Sequence, residues 1–118
     1  YTSDYAYTPG TVLVFGGEQE VTIADQSHDP RVAGVVTTDP AYLMNDAIDG
    51  VAVALTGRVP CQVCGPINKG DRLVCSQHPG VAQRLDDDQY RPGCIIGKSL
   101  EAIDTTEIRT IEIAIGRF

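Results

Sequence analysis

VAVALTGRVPCQVCGPINKGDRLVC, residues 51–75, is the stretch of sequence that decides the predicted fold. It contains two apolar runs rich in β-branched residues, which favour strands, and Gly57 lies between them where the chain can bend. A corner with the sequence GPINKGD (residues 65–71) follows, and a third short run ends at Cys75. The stretch therefore predicts three successive short strands.

Similar runs flank this stretch on both sides. The further predicted strands are residues 11–15, 19–24, 31–37, 93–100 and 110–115. Gly16-Gly17 indicates a hairpin between the first two, one helical turn is predicted over residues 41–46, and residues 76–82 are predicted to be a loop. About eight short strands separated by turn residues, with little helix, indicate an all-β fold, a small barrel or sandwich.

Two glycines, Gly34 and Gly97, lie inside predicted strands rather than between them. A glycine inside a strand often marks a sharp bend or a place where another backbone approaches closely. We therefore predict a bend or a close backbone approach at both positions.

Length and composition indicate one domain spanning residues 1–118, with residues 1–10 as a tyrosine-rich lead-in. With two Phe, one Met and no Trp, aliphatic side chains must fill the core. The net charge of −7 opposes nonspecific binding to nucleic acid or to an anionic membrane, because both need a positive patch. No run of about 18 apolar residues is present, so no membrane insertion is predicted.

The first residues lack both a charged segment and an apolar segment, so no signal peptide is expected. Because the chain starts without Met, we expect a fragment of a longer polypeptide. Tyr1, Tyr5 and Tyr7 lie close together in this lead-in. Tyrosine-rich edges are common where chains pack against each other, and the alternative is that these rings fold back on their own domain.

The cysteines suggest a metal site. Cys61-x-x-Cys64 and Cys75-x-x-His78 supply two ligand pairs with the two-residue gaps that suit tetrahedral zinc, so a zinc-stabilised binding module is one hypothesis. On a strand, however, positions 61 and 64 face opposite sides unless the backbone turns after Cys64. The alternative is that the cysteines are small core residues. Without a secretion signal, reduced thiols are expected rather than disulfides.

Both histidines have hydroxyl or carboxylate neighbours that suggest nucleophilic catalysis. Asp25, Ser27, His28 and Asp29 lie in one predicted loop, and Ser76 lies two residues before His78 in another. Working triads are assembled in space from separate segments, and polar loops contain these residue types because they form turns. We therefore interpret these residues as loop residues.

Asp86-Asp87-Asp88 is the one acidic run. It lacks the spacing and the terminal Glu of a calcium-binding EF-hand loop. A solvated acidic turn is the interpretation that the sequence favours.

Four blocks of sequence, in order, carry a resemblance to a known family. They are RVAGVVTTDPAYLMN (residues 31–45), VALTGRVP (53–60), GPINKGDRLV (65–74) and GCIIGKSLE (93–101). In these blocks the chain resembles virion-protein domains of tailed bacteriophages, in particular structural and tail-fibre proteins of the large contractile-tailed phages that infect marine cyanobacteria. More distantly, it is similar to the autoproteolytic intramolecular-chaperone domain of tail spikes and neck appendages. The resemblance covers roughly residues 10 to 118.

The resemblance implies an all-β domain at or near the end of a fibrous polypeptide, usually acting as a trimer. In the chaperone branch, such a domain assists trimerisation and then cleaves itself near its start. Ser3 is the only serine near the start of this chain, and no catalytic motif can be assigned to it, so the protease activity is not carried over. Cys64, Cys75 and Cys94 are not part of the family pattern, which weakens the zinc hypothesis.

The sequence therefore predicts a non-enzymatic virion structural or adhesion domain of the tail-fibre or appendage type. We expect it to act as a homo-oligomer, with a trimer favoured, and to contact other virion proteins or the host surface. It would be located in the virion and assembled in the host cytoplasm. The self-cleaving chaperone and the zinc-stabilised module with Cys61, Cys64, Cys75 and His78 are the alternatives, and no catalytic residue, cofactor or metal is assigned.

Overall fold

The computed structural model describes residues 1–37 and 52–116. Within these ranges the chain forms strands and one short 3-10 helix, Asp87–Gln89. The strands are β1 (Val12–Phe15), β2 (Val21–Ile23), β3 (Val32–Val36), β4 (Val53–Ala54), β5 (Gly57–Cys64), β6 (Arg72–Cys75), β7 (Ala82–Arg84), β8 (Ile95–Ser99) and β9 (Ile108–Ile115). The predicted all-β class is confirmed. The helical turn predicted over residues 41–46 lies outside the described residues.

The first four strands form an antiparallel sheet with the order β2-β1-β3-β4. The predicted hairpin is present, since β1 pairs with β2 and Phe15 lies opposite Val21 on either side of the Gly16-Gly17 turn. Strand β3 lies on the other side of β1, and β4 pairs with β3 through Val35 and Ala54. This sheet leaves β2 and β4 at its edges.

The remaining strands close into a barrel with the order β5-β7-β6-β8-β9. The longest contact is the antiparallel pair β5–β9, which runs from Gly57 opposite Ile115 to Cys64 opposite Ile108. Strand β8 joins β6 to β9, and β7 joins β6 to β5. The β5–β7 contact, Val63 opposite Ala82, is parallel, whereas the other barrel pairs are antiparallel.

One apolar core is shared by the sheet and the barrel. Because side chains alternate across a strand, Val12 and Val14 of β1 point into this core together with Val59, Val63 and Ile113 of the barrel. Leu13 points to the opposite face of the sheet, where it forms a second cluster with Val21, Ala33, Val36 and Val53. We call this second cluster the outer face.

Three predictions about the strands need correction. Residues 76–82 were expected to be a loop, but Ala82 begins β7, which has no apolar alternation of its own and forms because β5 and β6 flank it. The predicted strand over 93–100 begins only at Ile95, and the last strand begins two residues early, at Ile108. Strand ends are set by pairing partners, which a local pattern does not contain.

The close approaches predicted at Gly34 and Gly97 are confirmed. A Cβ on Gly34 would lie 2.4 Å from the Ala54 carbonyl oxygen, and one on Gly97 would lie 2.1 Å from the Ala114 carbonyl oxygen. Both distances are far below van der Waals contact. The first glycine allows β3 and β4 to meet, and the second allows β8 to meet β9.

Candidate functional site

Residues 1–7, which we call the N-terminal strap, cover the outer face of the four-stranded sheet. Tyr1 and Tyr7 pack against the outer-face cluster, in which Leu13 and Val21 are fully buried. Of the two expectations for the tyrosine-rich lead-in, the structure therefore shows rings folded back on their own domain for Tyr1 and Tyr7. Tyr5, by contrast, is 68% exposed.

The strap is held along the edge of β2 by hydrogen bonds. The Val21 N–H donates to the Thr2 carbonyl at 3.0 Å, and Ser3 forms an isolated parallel bridge with Val21. The N–H and the hydroxyl of Thr2 both donate to Glu20 Oε1, at 2.9 and 3.1 Å. These bonds lower the pKa of Glu20 because they stabilise its charged form. Residues 2 and 3 thus add a short parallel extension to the sheet.

Asp4 joins the strap to itself and to β2. Its carboxylate accepts from the Tyr7 hydroxyl at 2.8 Å and from the Thr22 hydroxyl at 2.9 Å. Partial burial is the main reason that the pKa of Tyr7 is raised. Asp4 therefore orients the Tyr7 ring over the outer face.

The strap takes part in two aromatic pairs, and we call their four rings the aromatic patch. The rings of Tyr1 and Phe15 meet edge to face with centroids 5.5 Å apart, and those of Tyr5 and Tyr7 lie 5.3 Å apart at 54°. Phe15 is 42% exposed. Such ring pairs add stability beyond their buried area, while their exposed edges leave apolar surface in contact with water.

Ser3, the only serine near the start of the chain, is part of a local turn. Its hydroxyl donates to the Tyr5 carbonyl at 2.8 Å and accepts from the Tyr5 N–H at 3.4 Å. Side-chain bonds to the backbone two residues on are typical of a turn-forming serine. The geometry at Ser3 is that of a structural residue of the strap.

A polar cleft of about 340 Å³ brings together candidates from loops that are far apart in sequence. It is lined by Ser27, His28, Cys64, Gln77, His78, Gln83, Arg84, Asp86 and Gln89. Sequence spacing places Ser27 beside His28 but says nothing about the other lining residues, because tertiary contacts bring them together. Three segments meet here: residues 24–31, which we call the histidine loop, the loop before β7, and residues 86–88, which we call the acidic turn.

Inside this cleft the buried His28 imidazole is held by both nitrogens. Its Nε2 accepts the Asp86 backbone N–H at 3.0 Å, so in the neutral ring the proton must be on Nδ1. Nδ1–H therefore donates to Ser27 Oγ at 2.7 Å. A base that activates serine must instead accept the serine proton. The hydrogen bond between His28 and Ser27 therefore stabilises the loop, and it has the wrong direction for activating the Ser27 hydroxyl as a nucleophile.

Ser27 Oγ also accepts from the Gln83 side-chain amide at 3.0 Å. Burial is the first cause that lowers the pKa of His28, and Arg91 lowers it further, whereas Asp86 opposes the shift. His28 also has a positive φ of 57°, which is uncommon for a non-glycine residue. The neutral imidazole thus connects the histidine loop to the acidic turn.

Asp29 organises the same loop through Arg31. The guanidinium donates to both carboxylate oxygens, from Nε at 3.1 Å and from Nη2 at 2.8 Å, and the Arg31 N–H adds a bond at 2.9 Å. The Asp29 side chain is 2% exposed. Hydrogen bonds from Arg31 are the main reason that the pKa of Asp29 is lowered. Asp25, in contrast, is exposed to solvent.

Ser76 and His78 do not form a catalytic pair. The buried Ser76 hydroxyl donates to the Val81 carbonyl at 2.6 Å and accepts the His78 backbone N–H at 3.2 Å. The His78 side chain is exposed at the rim of the cleft. Ser76 therefore closes the turn that leads into β7.

Cys61 and Cys64 lie on opposite sides of β5, as strand alternation predicts. Cys61 is fully buried in the core, and burial raises its pKa. Cys64 is half-buried, lines the cleft and directs its thiol to the Ala82 carbonyl at 3.6 Å. The structure does not bring this pair together.

Cys75 and Cys94 are also buried, and all four cysteines of the chain are free thiols. Burial raises the pKa of Cys75 to about 12, so its reactive thiolate form is scarce at neutral pH. Cys75 is in the core whereas His78 is exposed. In residues 1–37 and 52–116, no group of three or more His, Cys, Asp or Glu side chains is arranged to hold a metal ion.

The acidic run forms the predicted solvated turn. Asp86 is the N-cap of the 3-10 helix, since its carboxylate accepts from the Asp88 N–H at 3.1 Å and from the Gln89 side-chain amide at 3.2 Å. Asp87 pairs with Arg72 at 3.1 Å on the surface. The turn is stabilised by its own hydrogen bonds.

The sequence alone does not identify Phe15, Gln83 or Arg84 as residues of a candidate site. Phe15 lies in a predicted strand, and only its ring contact with Tyr1 of the strap places it in the aromatic patch. Gln83 and Arg84 lie on β7, the strand that the sequence did not predict. No local signal in the sequence identifies these two residues as lining a cleft.

No protein-family model matches this chain, and neither the curated proteins nor the solved structures contain a significant match. No helix in the part of the chain that the structure describes is long and apolar enough to cross a membrane.

Proposed function

We propose that this chain is a structural or adhesion domain of a tailed-bacteriophage virion, of the tail-fibre or appendage type. It acts without catalysis, through homo-oligomeric assembly, and a trimer is the favoured state. Its partners are further copies of itself, other virion proteins or the host surface, and it works in the virion after assembly in the host cytoplasm.

The proposal rests on the four ordered sequence blocks that resemble phage virion proteins, and the all-β fold is compatible with them. Their described parts fall on elements that build the fold. Residues 31–37 contain β3, residues 53–60 contain the bend between β4 and β5, and residues 93–101 contain β8. The net charge of −7 opposes binding to nucleic acid.

The observation that carries the assembly part is the aromatic patch. Tyr5 and Phe15 are large side chains that are 68% and 42% exposed, and each contacts a second ring. Tyr and Phe are enriched at the centres of protein interfaces, where they contribute large contact areas. Burial of this patch against a neighbouring copy would remove it from water.

Sedimentation velocity over a range of concentrations tests the proposal. We expect a species with three times the chain mass of 12.6 kDa, in equilibrium with smaller species. A chain that remains monomeric at the highest soluble concentration would overturn the assembly part.

A matched pair of variants locates the interface. Tyr5→Ala removes a side chain of the aromatic patch and should weaken association by ten-fold or more, as loss of an interface aromatic commonly does. Tyr90→Ala is the control, because Tyr90 is 51% exposed, follows the acidic turn and is not part of the aromatic patch. Equal association of both variants would exclude the aromatic patch as the interface.

A further inference from the structure

The N-terminal strap completes the outer face of the sheet. The outer face is apolar, and Leu13 and Val21 within it have no exposed surface. The strap contributes a backbone bond to Val21, side-chain bonds to Glu20 and Thr22, and two rings over the cluster. An apolar face of this kind needs a cover whether the cover comes from the same chain or from another.

The strap is joined to β1 by a short exposed connection. Thr8 and Pro9 are exposed, and the Thr8 carbonyl accepts the Thr11 N–H at 3.3 Å, slightly longer than the usual range. Gly10 is fixed on both sides, since its N–H donates to Val36 at 2.9 Å and its carbonyl accepts from Gln62 at 2.9 Å. A change in the backbone angles of Thr8 or in ψ of Pro9, whose φ is fixed by its ring, therefore moves the strap and leaves Gly10 and β1 in place.

We propose that copies of this chain assemble by exchanging their N-terminal straps, so that residues 1–7 of one copy cover the outer face of the next. This inference rests on the homo-oligomeric assembly proposed above. Exchange of an identical element is a low-cost route to an oligomer, because the contacts are the same in both arrangements. An extended strap of this length reaches about 24 Å, which matches the 25 Å short dimensions of the molecule.

Local concentration decides whether a strap covers the outer face of its own chain or that of a neighbouring chain. A short flexible connection gives an effective concentration of about 1 mM within one chain. Free chains at micromolar concentration therefore keep their own straps. Chains held side by side at the end of a fibre meet at comparable concentrations, so exchange becomes competitive.

Disulfide trapping between two single variants tests the exchange. Thr2 and Glu20 are in direct contact, so Thr2→Cys is made in one preparation and Glu20→Cys in another. The full-length chains are mixed in denaturant, refolded together at about 1 mM and oxidised mildly. We expect a disulfide between positions 2 and 20 of different chains, at a yield at least five-fold above that of a control mixture of Thr2→Cys with Glu107→Cys. Glu107 is exposed and precedes β9 of the barrel.

A second pair of cysteine variants keeps the test valid if one variant of the first pair does not fold. Asp4 and Thr22 are also in contact at 2.9 Å, so Asp4→Cys and Thr22→Cys give an independent mixture. Sedimentation of the unmodified chain is measured in parallel. Oligomers together with the specific cross-link support exchange.

Two results would overturn the inference, and they differ in their meaning for the proposed function. Oligomers with cross-links no more frequent than in the control mixture exclude strap exchange but leave homo-oligomeric assembly intact. Monomers at every concentration, without the specific cross-link, exclude both.

Discussion

The contact between β8 and β9 closes the barrel, and Gly97→Ala is the substitution that tests it. Gly97 lies opposite Leu73 of β6 and Ile115 of β9. A Cβ at this position would lie 2.1 Å from the Ala114 carbonyl oxygen and 3.0 Å from the Ile115 Cα. These are backbone atoms, so no change of side-chain rotamer relieves the overlap. Strand β8 must move away from β9 by about 1 Å, because overpacked cores respond by backbone shifts.

The size of the effect follows from two contributions. Overpacking costs about 2 kcal/mol, and weakening two of the ladder hydrogen bonds beside Gly97 costs about 1 kcal/mol each. The expected loss is therefore about 4 kcal/mol, a large part of the 5–15 kcal/mol that is typical of a domain. The melting temperature should fall by roughly 15 °C, since a domain of this size loses about 4 °C per kcal/mol.

Urea and thermal unfolding followed by circular dichroism measure this loss. Gly70→Ala is the control, because nothing lies within 4 Å of a Cβ there and only the positive φ of 90° is strained. The control should lose about 1 kcal/mol. If Gly97→Ala is as stable as the control to within about 0.5 kcal/mol, the close approach of β8 and β9 does not exist and the barrel is not closed at this contact.

Three other predictions concern titratable groups. Burial lowers the pKa of His28 in the folded chain, so the unfolded chain binds more protons below about pH 6.5. Stability is therefore complete above that pH and falls as the pH drops towards the folded-state pKa. The urea midpoint should be lower at about pH 5.5 than at about pH 7.5, and His28→Gln should reduce this difference. Arg31→Ala leaves the Asp29 carboxylate buried without its guanidinium partner and should lower the free energy of unfolding by about 2 kcal/mol. The control Arg109→Ala, at an exposed ion pair, should lower it by less than about 0.5 kcal/mol. Equal losses would contradict the role of the Arg31–Asp29 pair in organising its loop. Thiol titration of the native protein should modify Cys64 first, because the other three thiols are buried, and Cys64→Ser should remove that fast phase.

Local pattern predicted the fold class and most strands because each strand carries its own signal. The β-branched runs of β1, β3 and β5 and the alternation of β9 are visible without any partner. The hairpin and the close approaches at Gly34 and Gly97 were predicted for the same reason, since glycine is the residue that such positions require. Strand β7 was missed because its three residues lack alternation and depend on the strands beside them.

The candidate site was less accessible to sequence reasoning. The spacing of Cys61 and Cys64 suggests that both could bind one metal ion, but side-chain alternation along β5 places them on opposite sides of the strand. Spacing also placed Ser27 beside His28, yet the proton position on that imidazole depends on the Asp86 N–H, 58 residues away. Chemistry at a site depends on hydrogen-bond partners, and these come from other segments.

The sequence by itself determined that this protein is an acidic all-β chain with an aliphatic core, because strand formation, turns and net charge follow from residues close together in the chain. Only the tertiary structure decided that four strands form an open sheet and five close into a barrel, that β5 and β7 run parallel, and that residues 1–7 cover the outer face. Those features depend on which apolar surfaces meet. Burial of Leu13 and Val21 beneath Tyr1 and Tyr7 is a contact between segments, and the free energy of such contacts depends on the whole fold.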